Sequence, residues 1–207
     1  MSDMKHQEEI LEQLSNIIQK EKFEKNLRCS SLIVLFFEAF KDLVIYRLRD
    51  FYSIACFCSE EENNKESEEY KQKVRCLNNR NIFDASLQWF INQGAIDISD
   101  YQEIKNIEKR RNELVHELLK SLVVGMSQND WLQLTAIVKI YKKVDSWWVY
   151  NIEADWDEVS NPEPIKQKDC YSCDAMMLQI ILNMTIGNSE QYEGLIDDIK
   201  QALKNRR

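Results

Sequence analysis

Residues 28–58 read RCSSLIVLFFEAFKDLVIYRLRDFYSIACFC, and this stretch decides the fold. Leu32, Phe36, Val44 and their neighbours make it apolar on nearly every side of a helix, which is typical of a helix buried on several faces. We therefore predict that residues 28–58 form the central helix. The later turns of this stretch carry too many charges for a membrane span, namely Lys41, Asp42, Arg47, Arg49 and Asp50.

The rest of the chain also has the composition and spacing of helices. It contains 4 Gly and 2 Pro, where average usage would give roughly ten to fifteen of each, and this scarcity argues against a β-rich fold. Apolar residues recur at helical spacing over residues 4–25, 70–93, 100–124 and 131–144, and in two shorter stretches, 176–184 and 192–203, with a break near 78–81. We predict an all-α bundle of about five to seven helices.

Two segments are predicted to be connections rather than helices. Residues 59–69 hold six glutamates and no apolar residue, and residues 155–167 hold both prolines. Ser99 is the expected N-cap of the helix from residue 100, and Gly94 and Gly125 are expected to end helices. We predict one helical domain over residues 1–207, with a helical extension at about 168–206.

Charge and hydropathy restrict the functions that the chain can have. The formal net charge of −8 repels a polyanion at long range, so a contact with nucleic acid requires a local basic patch. No stretch reaches 18 uncharged apolar residues, and the chain begins with charged residues rather than with an apolar signal core. We expect a cytoplasmic protein that does not span a membrane.

The six cysteines are expected to be buried thiols rather than bridges. They lie at positions 29, 56, 58, 76, 170 and 173, mostly within apolar helical segments, and a cytoplasmic protein keeps its thiols reduced. Cys170 and Cys173 have the spacing of a zinc or redox pair, but a second close pair of ligands is missing.

One of the two histidines, His116, lies within a well-predicted helix, directly after a cluster of cations. It is preceded by four cations that we expect to contact phosphate, namely Lys105, Lys109, Arg110 and Arg111. On a helix, Asn112 and His116 face the same way, and Arg111 lies roughly 140° around the axis from His116. A separate apolar stripe of Leu114, Leu118 and Leu122 should face the core.

The segment Arg111-Asn112-Glu113-Leu114-Val115-His116 resembles the Arg-x4-His motif of the HEPN superfamily, whose name stands for higher eukaryotes and prokaryotes nucleotide-binding. The resemblance covers residues of about 28–150, a HEPN-like core, and is most specific in residues 98–119. It implies a helical bundle that forms a homodimer with a composite active site. It also implies an endoribonuclease of the kind that acts as a toxin or in antiphage defence. A tyrosine usually follows the histidine by two positions in toxins controlled by nucleotidyltransferase antitoxins, and here that position is Leu118.

The chemistry assigned to these residues follows from the resemblance and from their side chains. Cleaving RNA without a metal requires proton transfer, which suits His116, and stabilisation of the phosphorane, which suits the guanidinium of Arg111. Asn112 is expected to orient His116 or the phosphate, while Lys105, Lys109 and Arg110 bind the substrate. The expected partners are RNA, a second copy of the chain and an antitoxin or regulatory protein. No metal or other cofactor is expected, since the sequence shows no credible ligand set.

Other interpretations of the same residues remain open. The chain also has the pattern of a catalytically inactive HEPN-like module that binds nucleotides or proteins. Glu108, Glu113 and Glu117 lie at helical spacing from the cations, so that the patch can be a salt-bridged surface. Base stacking is a further alternative for the aromatic residues, which are Phe36, Phe37, Phe40, Trp147, Trp148 and Trp156.

Overall fold

The computed structural model describes residues 2–54, 66–154 and 166–187. The described residues contain no strand, and the prediction of an all-α protein is confirmed. They form eight α-helices, which is above the expected range of five to seven. The helices are α1 (Ser2–Ile18), α2 (Lys20–Ile54), α3 (Glu68–Lys73), α4 (Ile82–Asn92), α5 (Ile98–His116), α6 (Leu118–Val124), α7 (Gln128–Trp148) and α8 (Cys173–Ile186).

The chain divides into two compact units, Met1–Tyr171 and Ser172–Arg207. The first unit holds α1 to α7. Of the second unit the structure describes α8, which Ser172 caps at its start through a bond from the Ala175 N–H and which Gly187 ends with φ 93°. The expected last helix over 192–203 and the main part of the two expected connections lie outside the described residues. In the described part of the chain, no helix combines the length and apolarity needed to cross a membrane.

Helix α2 occupies the centre of the first unit, as residues 28–58 predict. It packs most extensively against α7, and also contacts α5, α4 and α3. Ile33, Phe40, Val44 and Leu48 are completely buried along it. Burial of apolar side chains of this size contributes about 1.5–3 kcal/mol each, so the other helices are stabilised mainly by covering α2.

A cluster of aromatic side chains joins α2, α4 and α7. Trp89 and Phe90 of α4 pack edge-on against Trp147 and contact Trp148, both of α7. Trp89 also donates a hydrogen bond from Nε1 to the hydroxyl of Tyr52, at 3.0 Å. Trp148 is buried and Trp147 is partly exposed, as expected for neighbours on a helix. These tryptophans therefore pack against the core, as do Phe36, Phe37 and Phe40 of α2, which are buried. Trp156 lies outside the described residues.

A buried ion pair joins α2 to α7. Arg47 Nη2 lies 3.0 Å from Oδ1 of Asp145, whose side chain is completely buried, and Arg47 Nη1 lies 3.8 Å from Glu153. A buried carboxylate without a partner is strongly destabilising, so this pair also restricts the register of the two helices.

Several helix boundaries differ from those predicted. The expected helix over 4–25 is divided at Gln19, where α1 ends and α2 begins. Asp97 rather than Ser99 caps α5, because the Asp97 side chain accepts a bond from the Asp100 N–H while the Asp100 side chain accepts one from the Asp97 N–H. Helix α3 begins at Glu68, within the expected loop, since Ser67 caps it. The predicted break near 78–81 is confirmed, and Asn81 caps α4 there.

The expected single helix over 100–124 breaks at Glu117. Its φ of −128° and ψ of 37° are not helical, so α5 ends at His116 and α6 starts at Leu118. The break changes the direction of the apolar stripe: Leu114 and Leu122 are buried, but Leu118 is 41% exposed. The expectation that Leu118 lies in the core is therefore wrong.

Side chains from the N-terminal helices hold the connection between α6 and α7. The Asn16 amide donates to the carbonyl oxygens of Val123 (3.1 Å) and Val124 (3.0 Å), which α6 leaves without helical partners. The Asn26 carboxamide oxygen accepts a bond from the Met126 N–H at 3.1 Å. Tertiary contacts with α1 and α2 thus favour the separate direction of α6.

We predict that Gly125→Ala destabilises the protein by about 3 kcal/mol. Gly125 has φ 89° and ψ 158°, a conformation that costs a residue with a Cβ on the order of 1–3 kcal/mol. The new Cβ would also lie 2.7 Å from Asn16 Nδ2 and disturb its two hydrogen bonds. Urea unfolding measures the loss.

The matched control for this prediction is Gly94→Ala. Gly94 also has a positive φ, 75°, but apart from Gly94 itself and its two chain neighbours nothing lies within 4 Å of the position of its Cβ. Gly94→Ala should therefore cost at least about 1 kcal/mol less than Gly125→Ala. Equal losses would contradict the role assigned to the Asn16 contact.

Candidate active site

Helix α5 carries all the predicted site residues and packs against α2 and α7. Three of its own side chains are buried, namely Ile104, Ile107 and Leu114. At its start, Asp100 also forms an ion pair with Lys143 of α7, at 2.6 Å. The remaining faces of α5 therefore keep defined positions relative to α2 and α7.

Arg111 points towards α2. Its guanidinium forms a close ion pair with Glu38, lies 5.9 Å from the ring centre of Phe37, and donates to the Asn112 carboxamide oxygen at 2.9 Å. The Arg111 side chain is 22% exposed, and its Nε is buried without a hydrogen-bond partner. Arg111 is thus held in one orientation with part of its surface accessible.

His116 is exposed at the last turn of α5, and it makes no hydrogen bond with Arg111 or Asn112. His116 lies five positions after Arg111, which places them roughly 140° apart around the helix axis. Arg111 contacts α2, whereas the direction of His116 is shared by Lys109, seven residues earlier. In one copy of the chain, the two principal residues of the motif are therefore not brought together by a direct contact.

Lys105 is paired with carboxylates on two helices. Its Nζ lies 3.0 Å from Asp84 of α4 and forms a close contact with Glu108. Burial by itself lowers the pKa of Lys105, but its bonds with Glu108 and Asp84 outweigh this effect and raise it. Lys105 therefore joins α5 to α4. The expected contact between Lys105 and the substrate remains a prediction.

Arg110 is the most heavily engaged of the four cations. Nε donates to Asp130 at 2.6 Å, Nη1 donates to Glu113 at 3.1 Å, and Nη2 lies 4.0 Å from the Met126 sulfur. Burial lowers its pKa, whereas Asp130 and then Glu113 raise it, and the net direction is upward. Asp130 in turn completes the capping box of α7, because its carboxylate accepts bonds from the N–H and the hydroxyl of the N-cap residue Ser127. Arg110 therefore connects α5 to the start of α7.

Lys109 differs from the other three cations of the cluster. It is exposed, and no carboxylate of the described residues lies within ion-pairing distance of it. It lines an open groove of about 360 Å³ between α5 and α7. Carboxamides form much of the wall of this groove, from Asn106 on α5 and from Asn129 and Gln133 on α7.

Sequence reasoning did not identify this groove as part of the site. Asn106 lies three residues before Lys109, and Asn129 and Gln133 are four residues apart on α7, so each helix presents its groove residues on one face. That spacing could have indicated that α5 and α7 each carry a polar face. Nothing in the sequence says that the two polar faces meet across a groove, because their approach depends on how α5 and α7 pack on α2.

The cysteines of the described residues are free thiols. Cys29 and Cys170 are buried, as expected, whereas Cys76 and Cys173 are exposed and contradict that expectation. Burial, with a contribution from Asp130, raises the pKa of the Cys29 thiol to about 12. Cys170 and Cys173 belong to different compact units. Across the described residues, no group of three or more His, Cys, Asp or Glu side chains is arranged to hold a metal ion.

We predict that Arg110→Gln lowers the free energy of unfolding by about 2 kcal/mol, because it leaves the 4%-exposed Asp130 side chain without its charged partner. Lys109→Gln, the control on the adjacent position, should change it by less than about 0.5 kcal/mol. Chemical denaturation of both variants measures the difference. Similar losses would show that Arg110 does not have the structural importance assigned to it.

Comparison of the chain with protein-family models, with curated proteins and with solved structures found no match. The resemblance to HEPN proteins therefore rests on the segment from Arg111 to His116 and its helical setting. Within that segment, Arg111 and Asn112 contact each other, and His116 is accessible at the helix end.

Proposed function

We propose that this chain is a metal-independent endoribonuclease of HEPN type, of the kind used as a toxin or antiphage effector. In this proposal His116 transfers protons and Arg111 stabilises the phosphorane. The observation that carries the proposal is the accessible imidazole at the end of α5, on the same helix as a guanidinium that Glu38 and Asn112 hold in position. A preoriented guanidinium can stabilise developing charge without reorganising during the reaction.

The angular separation of the two residues supports a site shared between two copies. Arg111 contacts Glu38 of α2, and helix geometry puts His116 roughly 140° around the axis from it, so a single phosphate is better reached by residues of both copies. In a symmetric dimer each copy would present the same α5 surface to the other. RNA as substrate and a homodimer as the active form therefore belong to one proposal.

The reaction needs two proton transfers, and a dimer supplies a histidine for each. One His116 would accept the proton of the 2′-hydroxyl as its oxygen attacks phosphorus. His116 of the second copy would donate a proton to the departing 5′-oxygen, leaving a 2′,3′-cyclic phosphate and a 5′-hydroxyl. Imidazole is suited to both steps because its unperturbed pKa is about 6.5.

Exposed apolar side chains around His116 support association through this end of α5. Val115 is 48% exposed, and Leu118 and Leu119 follow the histidine with 41% and 77% exposed. Apolar groups that cluster next to polar functional groups are typical of surfaces that another protein covers. A second copy would remove them from water while bringing the two motifs close.

A specific observation favours a second candidate, a catalytically inactive module that binds nucleotides or proteins. Glu38 forms a close ion pair with Arg111 and offsets the charge that the phosphorane would require. If the pair persists with RNA bound, Arg111 contributes little to catalysis. The wild-type protein would then bind RNA without cleaving it.

We predict that His116→Ala lowers the rate of RNA cleavage by at least about 100-fold, because general acid and base catalysis contributes on the order of 10² to 10⁴. The assay uses labelled single-stranded RNA in a buffer with EDTA. Wild-type cleavage should persist in EDTA, and circular dichroism should show the same helical content for both proteins.

His6→Ala is the matched control, since His6 is an exposed histidine on α1. It should cleave at the wild-type rate. Full activity of His116→Ala would remove the histidine from the mechanism. Loss of wild-type cleavage in EDTA with recovery on adding a divalent ion would refute metal independence, and RNA binding without cleavage under both conditions would favour the inactive module.

We also predict that Leu119→Glu converts a dimer to a monomer and lowers cleavage in parallel, because it places a charge in the proposed contact. Leu132→Glu is the control, since Leu132 is 59% exposed on α7. Sedimentation velocity reports the mass of each variant. A dimeric and fully active Leu119→Glu protein, or a monomeric and active wild type, would exclude the composite site.

A further inference from the structure

The groove between α5 and α7 has a lining suited to a ligand rich in hydrogen-bonding groups. Asn106, Asn129 and Gln133 each offer both a donor and an acceptor, and they approach the groove from two helices. The volume of about 360 Å³ suits one small planar group rather than an extended chain. The lining therefore favours a compact polar ligand.

Gln133, one of the residues that line this groove, has a side-chain oxygen without a hydrogen-bond partner. This atom, Oε1, is buried. A buried acceptor without a donor is unfavourable, and a ligand N–H would relieve this cost once rotation of the Gln133 side chain turns Oε1 into the groove. The bound group should therefore carry a donor that can approach the end of the Gln133 side chain.

The charges around the groove limit where an anion can bind. Glu103 and Glu113 both line it, and Glu113 is already bonded to Arg110. Lys109, without an ion pair among the described residues, is the accessible cation of the lining. This distribution suits a neutral planar group inside the groove, joined to a single phosphate near Lys109.

The groove also lies on the side of α5 that carries His116. His116 lies seven positions after Lys109, which corresponds to about 20° around the axis and about 10 Å along it. A phosphate at Lys109 and a phosphodiester at His116 can therefore belong to neighbouring nucleotides of one strand. Unstacked bases of single-stranded RNA are commonly bound by hydrogen bonds to their edges.

We infer that the α5–α7 groove binds one base of single-stranded RNA, through the carboxamides of Asn106, Asn129 and Gln133, with the adjoining phosphate at Lys109. This inference rests on the proposed function, because it makes the groove the base-binding subsite of the same nuclease. It assigns the groove residues to substrate specificity, and His116 and Arg111 to the reaction.

The test uses 2′-O-methyl RNA hexamers, which bind without being cleaved because they lack a free 2′-hydroxyl. Fluorescence anisotropy compares hexamers of each of the four bases with an abasic hexamer of equal charge. At least one base-containing hexamer should bind about fivefold more tightly than the abasic one, and Gln133→Leu should remove most of this difference. Asn129→Leu should reduce it independently.

Lys109→Gln should act differently, since it removes a contact to phosphate. It should weaken the binding of base-containing and abasic hexamers alike, and lower the slope of log affinity against log salt by about 0.7. Gln128→Leu and Lys139→Gln are matched controls at exposed positions of α7 outside the groove, and they should leave affinity unchanged. Urea unfolding checks that each variant is folded.

Equal affinity for base-containing and abasic hexamers, or an undiminished difference in both carboxamide variants, would overturn the inference. Cleavage of unmodified RNA is measured separately. If cleavage depends on His116 while these binding differences are absent, the groove assignment fails and the proposed nuclease stands. If the binding differences appear without any cleavage, the groove assignment stands and the proposed catalytic activity fails.

Discussion

The structure depends on the need to cover α2. This helix is apolar around most of its circumference, and it is stable in water only when other helices pack against several of its sides. Helices α4, α5 and α7 meet this requirement, and their positions follow from it. The candidate site is a product of the same constraint, because it lies on α5 and in the groove that α5 forms with α7.

Ion pairs engage three of the four cations in the cluster before His116. Lys105 and Arg110 are directed to carboxylates of α4 and α7, and Arg111 is directed to Glu38 of α2. These pairs fix the helices relative to one another. Among the described residues, Lys109 is therefore the member of the cluster without an ion pair, whereas Lys105, Arg110 and Arg111 are paired and 33%, 22% and 22% exposed.

The features that could be predicted are those that depend on local sequence patterns. The central helix, the break before Asn81 and the helical class follow from apolar periodicity and from the shortage of glycine and proline. The break at Glu117 and the pairing of Arg110 with Asp130 could not be predicted. Both depend on contacts between residues far apart in the sequence, which periodicity does not contain. The Arg-x4-His spacing could be read from the sequence. The contact of Arg111 with α2 and the exposure of His116 depend on how α5 packs, which the spacing does not give.

The bonds from Asn16 to the carbonyls of Val123 and Val124 have a consequence for the order of folding. They join residues 107 and 108 positions apart, and contacts at such separation carry a high loop-closure entropy and tend to form late. Helix α6 has seven residues, too few to persist in isolation. We therefore expect the segment that follows His116 to acquire its structure only when the amino-terminal helix docks, after most of the core has assembled.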